Sequence, residues 1–163
     1  MEYLVYALVT GVGATVLVDL WAIARKRAFD TPPPNYGLVG RWFAHLARGR
    51  FRHESIAASP AVQGERVIGW VAHYVIGVVF AGMLLAVWGL AWVRQPTIGP
   101  ALLVGIGTVA APFLVMQPGM GAGVAASRTP RPAAARLQSL VTHSIFGLGL
   151  YAAGWVARIH CVS

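Results

Sequence analysis

Four long apolar stretches separated by polar segments set the pattern of this chain, at about 3–24, 67–93, 98–121 and 137–157. At ~1.5 Å of rise per helical residue, each can cross a hydrocarbon core of about 30 Å. They are too long and too evenly apolar for barrel strands. A membrane barrel would need many shorter segments of alternating polarity with no open edge. The pattern predicts an all-α membrane bundle of four transmembrane helices. It reads as a single integral membrane domain over 1–163, with 25–66 as its long cytoplasmic loop.

That loop holds one further element. Thr31-Pro32-Pro33-Pro34-Asn35 cannot continue a helix, because proline lacks the N–H and its ring clashes with the preceding turn. From Leu38 to Arg52, Val39, Trp42, Phe43 and Leu46 recur at helical spacing, with Arg41, His45 and Arg48 between them. This predicts a short amphipathic interfacial helix between spans one and two. It has two placements open to it: on the inner leaflet, or packed on the cytoplasmic mouth of the bundle.

Composition supports lipid as the main solvent. The chain is 57% hydrophobic and 11% charged, against roughly 25% charged in a soluble domain. Too few charges are present to cover a water-exposed surface. The net charge of +8 raises nucleic acid as a partner. However, the basic residues lie between the apolar blocks, and no recognition fold or separate basic domain is visible. The reading is therefore no nucleic acid, with the lipid bilayer and anionic headgroups at the cytoplasmic loops as partners.

Eleven of the thirteen Lys and Arg residues fall on one side: Arg25, Lys26, Arg27, Arg41, Arg48, Arg50, Arg52, Arg66, Arg128, Arg131 and Arg136. Only Arg94 and Arg158 fall on the other. The positive-inside rule makes the first side cytoplasmic and both termini periplasmic, in a bacterial inner membrane. No basic region precedes span one, so it reads as a retained anchor and not a cleaved signal. Trp21, Trp70, Trp88, Trp92 and Trp155 near span ends suit interfacial anchors. The lone thiol, Cys161, cannot make an internal disulfide or a cysteine-based zinc site.

Each span carries one polar side chain of interest: Asp19, His73, Gln117 and His143. Counted from the inner span ends, Asp19, His73 and His143 sit ~8–10 Å below the cytoplasmic boundary. Gln117 joins them if span three ends near Gly123. Small residues flank these positions one turn away: Thr15 before Asp19, Gly69 and Gly77 around His73, Ser139 and Gly147 around His143. Such stripes face neighbouring helices, and a charge facing hydrocarbon would cost at least ~2.5–3.5 kcal/mol. One reading of the layer is a hydrogen-bonded clamp that sets helix packing. The other is a ligand-binding or proton-relay site. That site takes three forms: a divalent metal held by His73, His143 and Asp19, a proton-coupled or small-solute pathway, and, least favoured, a bis-histidine haem. The cofactor stays open between a divalent metal and none.

Span three has two expected breaks. Pro112 removes a backbone bond to Thr108 and predicts a kink. Pro118, Gly119 and Gly121, within 116–123, predict a second interruption. Lipid tolerates broken helices where protein or a water-filled cavity satisfies the freed backbone. A cavity near Gln117 is one outcome, and close packing or an interfacial helix end is the other. The glycines do not form GxGxxG and follow no strand. Arg128 and Arg131, in the basic loop 127–132, are placed to meet phosphate or lipid headgroups. No triad or paired carboxylates give an enzyme signature.

The stretches Met116-Gln117-Pro118-Gly119-Met120-Gly121 and Ala126-Ser127-Arg128-Thr129-Pro130 resemble a family of small uncharacterised bacterial membrane proteins, a domain of unknown function. Gly69-Trp70-Val71-Ala72-His73-Tyr74 and the Asp19 span fit the same resemblance, which covers nearly the whole chain. It implies a four-span architecture and a bacterial origin. It implies no activity, cofactor or catalytic residue, and it draws attention to Gln117, Ser127 and Pro130 without assigning them roles. The expected function is binding or transport of a small solute, proton or metal ion at the polar layer. The alternatives are a structural or assembly subunit of a larger membrane complex or homo-oligomer, and a membrane-embedded haem or metal enzyme.

Overall fold

The computed structural model describes residues 1–161, with side chains through residue 159. The Cys161 side chain lies outside the described residues. The chain is helical: α1 Glu2–Phe29, α2 Tyr36–Leu46, α3 Glu65–Arg94, α4 Ile98–Gly107, a π-helical turn Pro112–Met116, α5 Gln117–Met120, a 3₁₀ turn Val124–Ala126 and α6 Pro132–Cys161. Four helical stretches are long and apolar enough to cross a membrane: Glu2–Phe29, Glu65–Arg94, Ile98–Met120 and Pro132–Ile159. They fall where the apolar pattern places the spans.

Two ends differ from the apolar pattern. α1 continues through Arg25-Lys26-Arg27 to Phe29 before Asp30 adopts a left-handed conformation. Basic side chains suit a helix C-terminus, where the macrodipole is negative. α6 begins at Pro132, since proline is tolerated in a first turn that needs no N–H donor.

The helices divide into two compact units. One contains Met1–Pro33, Tyr74–Thr108 and the chain from Leu140 onward, and the other Pro34–His73 and Val109–Ser139. In the first unit, α1 presents Ala7, Gly11, Ala14 and Val18 inward, a 4-3-4 spacing that keeps one helix face toward its neighbours. A Cβ on Gly11 would meet the Gly77 and Val78 backbone, and one on Gly149 would meet Ala14. A Cβ on Gly105 would meet Gly147 and the His143 carbonyl. Backbones approach closely at these points, which is how membrane helices gain packing contacts when apolar burial drives nothing. Leu84, Leu85 and Leu150 fill the centre. The buried Thr15 hydroxyl donates to the Gly11 carbonyl at 2.8 Å, so it carries no unmet donor into the core.

α3 is interrupted at Gly89, with φ 68° and ψ −176°, a conformation that glycine alone adopts readily. Beyond it, Trp92 is 4% exposed. Its Nε1 donates to the Thr97 carbonyl at 3.1 Å, and its ring lies over Gly154. Trp92 is therefore a core side chain that fastens the α3–α4 connection, not the interfacial anchor its position near a span end suggests.

In the second unit, Asn35 caps α2 by accepting from the Leu38 N–H. Gly40 lies against the backbone of Glu65 and Gly69, and Gly69 against that of Tyr36. The buried residues of α2 are Gly37, Gly40, Trp42 and His45. One face of α2 thus packs against the start of α3.

Gly69→Val should push α2 away from α3 and destabilise the protein by about 1–3 kcal/mol, the usual cost of overpacking. Gly82→Ala, at a helical position with nothing within 4 Å, should instead stabilise the protein by roughly 0.5–1 kcal/mol. Equilibrium unfolding of the detergent-solubilised variants, followed by circular dichroism, distinguishes the two.

Candidate functional site

Asp19 lies on the fifth turn of α1, inside a span. Its carboxylate accepts a hydrogen bond from the Tyr74 hydroxyl at 2.9 Å. The Gly11–Gly77 approach brings α1 near enough to α3 for these side chains to meet. Tyr74 is not distinguished by the sequence pattern.

His143 lies against the broken end of span three. α4 stops at Gly107, and carbonyls in a last helical turn lose their intrahelical donors. The Gly105 carbonyl accepts instead from the Thr108 hydroxyl at 2.7 Å and lies 3.2 Å from His143 Nδ1. His143 Nδ1 is also 3.0 Å from Thr108 Oγ1. The hydroxyl has one proton, and the short bond commits it to Gly105. Nδ1 must then carry a proton and act as donor, which leaves the Nε2 lone pair open.

His73 belongs to the second unit. Its Nε2 is 3.0 Å from the Tyr36 hydroxyl, with the two rings 4.4 Å apart and Trp70 beside both. Gln117 opens α5, directly after the π-helical turn. Its Oε1 is buried without a donor among the described residues, while its backbone carbonyl accepts from the Ala122 N–H at 2.8 Å. α5 ends at Met120, and Gly121 takes φ 95° and Gly123 φ 75°.

Among the described residues, no three His, Cys, Asp or Glu side chains gather in a way that could hold a metal ion. Of the metal candidates His73, His143 and Asp19, the first lies in the second unit and the other two in the first. Each is engaged with a hydroxyl: Tyr36, Thr108 and Tyr74, respectively.

The second unit also contains a polar cluster that the sequence does not reveal. His45 Nδ1 is 2.9 Å from His53 Nε2, and His53 Nδ1 is 3.2 Å from the Gly119 carbonyl. The carbonyl can only accept, so His53 Nδ1 carries its proton. With both rings neutral, His53 Nε2 then accepts from His45 Nδ1. Trp42 donates to the Phe51 carbonyl at 2.9 Å and lays its indole over Gly119. Arg41 holds Glu65 through two 2.8 Å bonds. It also donates to the carbonyls of Ile56, Ala57 and Ser59. The hydrogen bond to Glu65 raises Arg41 further above its ordinary value, so this clamp keeps its positive charge. Arg128 and Arg131, the expected headgroup contacts, are both exposed.

An open cavity of about 580 Å³ lies elsewhere in the first unit, beside the α3–α4 connection, lined by Arg94, Gln95, Thr97, Trp155 and Arg158 among others. The Arg158 guanidinium stacks over Trp155 at 4.9 Å. Its two arginines are the pair that falls outside the basic loops.

Four apolar helices of spanning length, with ionisable side chains hydrogen-bonded inside them, define a small polytopic helical membrane protein. The model of the family described as protein of unknown function (DUF2938) matches residues 8–157, and the chain belongs to that family. No curated protein and no solved structure matches it.

Tyr74→Phe removes the donor to Asp19 and should cost about 1–2 kcal/mol, between the values for charge-assisted bonds and for typical bonds in membranes. In a double-mutant cycle with Asp19→Leu, the two losses should fall short of additive. Unfolding titrations in detergent measure both.

Proposed function

We propose that this protein binds and conducts protons across a bacterial inner membrane, alone or together with a small solute, using Asp19, His73, Gln117 and His143. Its basic loops would be cytoplasmic and its termini periplasmic. The observation that carries this reading is the Asp19–Tyr74 hydrogen bond within apolar spans. An acid in a span is expensive to insert, and an amide could accept the same bond without a charge. What a carboxyl group adds is exchange of its proton. His73–Tyr36 and His143–Thr108 likewise join an ionisable ring to a hydroxyl, and alternating groups of this kind make up proton relays. The interruption of span three next to His143 supports the reading, because broken helices are tolerated where freed backbone groups find partners.

A second reading, a subunit that docks other membrane helices, has its own support. At Gly82, Gly99 and Gly107 a Cβ would meet nothing within 4 Å. A helical glycine costs roughly 0.5–1 kcal/mol relative to alanine, and an open one suits the close approach of another helix. Recovery of a defined partner by crosslinking in the native membrane would favour this reading.

The purified protein, reconstituted into liposomes containing a pH-sensitive dye, tests the first reading. The wild type should dissipate an imposed pH gradient faster than protein-free liposomes. Asp19→Asn should slow this about tenfold or more, equivalent to at least ~1.4 kcal/mol on the barrier. A wild-type rate equal to that of empty liposomes, with and without candidate solutes, would sink the proposal.

A further inference from the structure

The inward stripe of α1 does not end at Val18. Continuing the same spacing, Trp21 and Arg25 follow at three and four residues, on the face occupied by Ala7, Gly11 and Ala14. Arg25 is 9% exposed, whereas its neighbours Lys26 and Arg27 are exposed. The three basic residues at this end of the span therefore differ. Two face outward, as residues answering only the positive-inside rule would, and one occupies a position where the pattern calls for a core side chain.

Arg25 Nε and Trp21 Nε1 are both buried and have no acceptor among the described residues. Buried donors are rarely left unmet in folded proteins, and a guanidinium less than most. Both groups donate only. Whatever meets them must supply acceptor oxygens, and the cation favours an anion. The two side chains start one helical turn apart, about 6 Å along the axis. Long side chains at i and i+4 lie on the same face and can converge on one group. A guanidinium matches the oxygens of a phosphate in a fixed fork. The depth fits as well, since Lys26 and Arg27 mark the end of the span, where phospholipid phosphates lie.

We propose that Trp21 and Arg25 form a phosphate-binding site at the arginine-rich end of α1. Its occupant carries a phosphate group, either in an anionic phospholipid headgroup or as a free phosphate. This is separate from proton conduction, and either can fail without the other.

Native mass spectrometry of the full chain in detergent, with added phosphatidylglycerol or phosphatidylcholine, tests the lipid source. Thermal unfolding with inorganic phosphate tests the free one. The wild type should retain phosphatidylglycerol over phosphatidylcholine. Arg25→Gln should reduce that retention about tenfold, the scale of one charge-assisted contact. Arg25→Lys should fall between, and Lys26→Gln and Arg27→Gln should match the wild type. If instead inorganic phosphate raises the melting temperature of the wild type but not of Arg25→Gln, the site stands and the source is the free anion. Lipid retention and phosphate response that are both absent in the wild type, or both unchanged in Arg25→Gln, overturn the proposal. Should Arg25→Gln fail to fold, Trp21→Phe, which removes only an N–H, decides: unchanged binding overturns the site.

Discussion

In lipid, a backbone group that leaves its helix has no water to bond with, and the rest of this structure depends on that constraint. The chain breaks its regular helices at several places, and polar groups cluster there. At the α3–α4 connection, Trp92 serves the Thr97 carbonyl. At the end of α4, Thr108 and His143 serve Gly105. Around α5, the His53 and Ile56 N–H groups reach the carbonyls of Gly119 and Met120. Near the start of α6, Arg136 reaches Ala125 at 2.8 Å. Many of the polar side chains that stand out in an apolar sequence are thus explained first by the interruptions beside them.

Glycine and alanine make these repairs geometrically feasible. Trp42 can lie across α5 only because Gly119 has no side chain, and His53 and Glu54 can approach Gly121 for the same reason. In the first unit, Gly11, Gly77, Gly105 and Gly147 set backbones close enough for short hydroxyl and carbonyl groups on different helices to meet. Small residues here act less as flexible points than as space into which a polar partner fits.

The sequence made the spans legible because apolar runs of that length have few other uses. Their ends were less legible. The continuation of α1 through three basic residues and the start of α6 at a proline reflect helix-end chemistry, which a hydropathy pattern does not register. Asp19, His73 and His143 were visible as polar residues in apolar surroundings. Their partners were not: Tyr74, Tyr36 and Thr108 lie 55, 37 and 35 positions away. His53 was hidden for the same reason, since its carbonyl partner is 66 positions distant. Trp92 shows a different limit. A tryptophan near a span end can anchor in the interface or fill the core, and which of these occurs depends on whether another segment offers a glycine beneath the ring, as Gly154 does.

Bonds that repair a fold and bonds that move protons can be the same bonds, and chemical economy distinguishes the two roles. The clamp role at Asp19 requires an acceptor for Tyr74, and asparagine would provide one without a charge in the span. The clamp role at His143 requires a donor to Gly105, which the Thr108 hydroxyl already supplies. In both places the chain carries a more costly group than the structural task demands. That excess argues for a use of the ionisable form itself. The same reasoning isolates Arg25, because the inward stripe of α1 calls for bulk at that position and the chain supplies a cation instead.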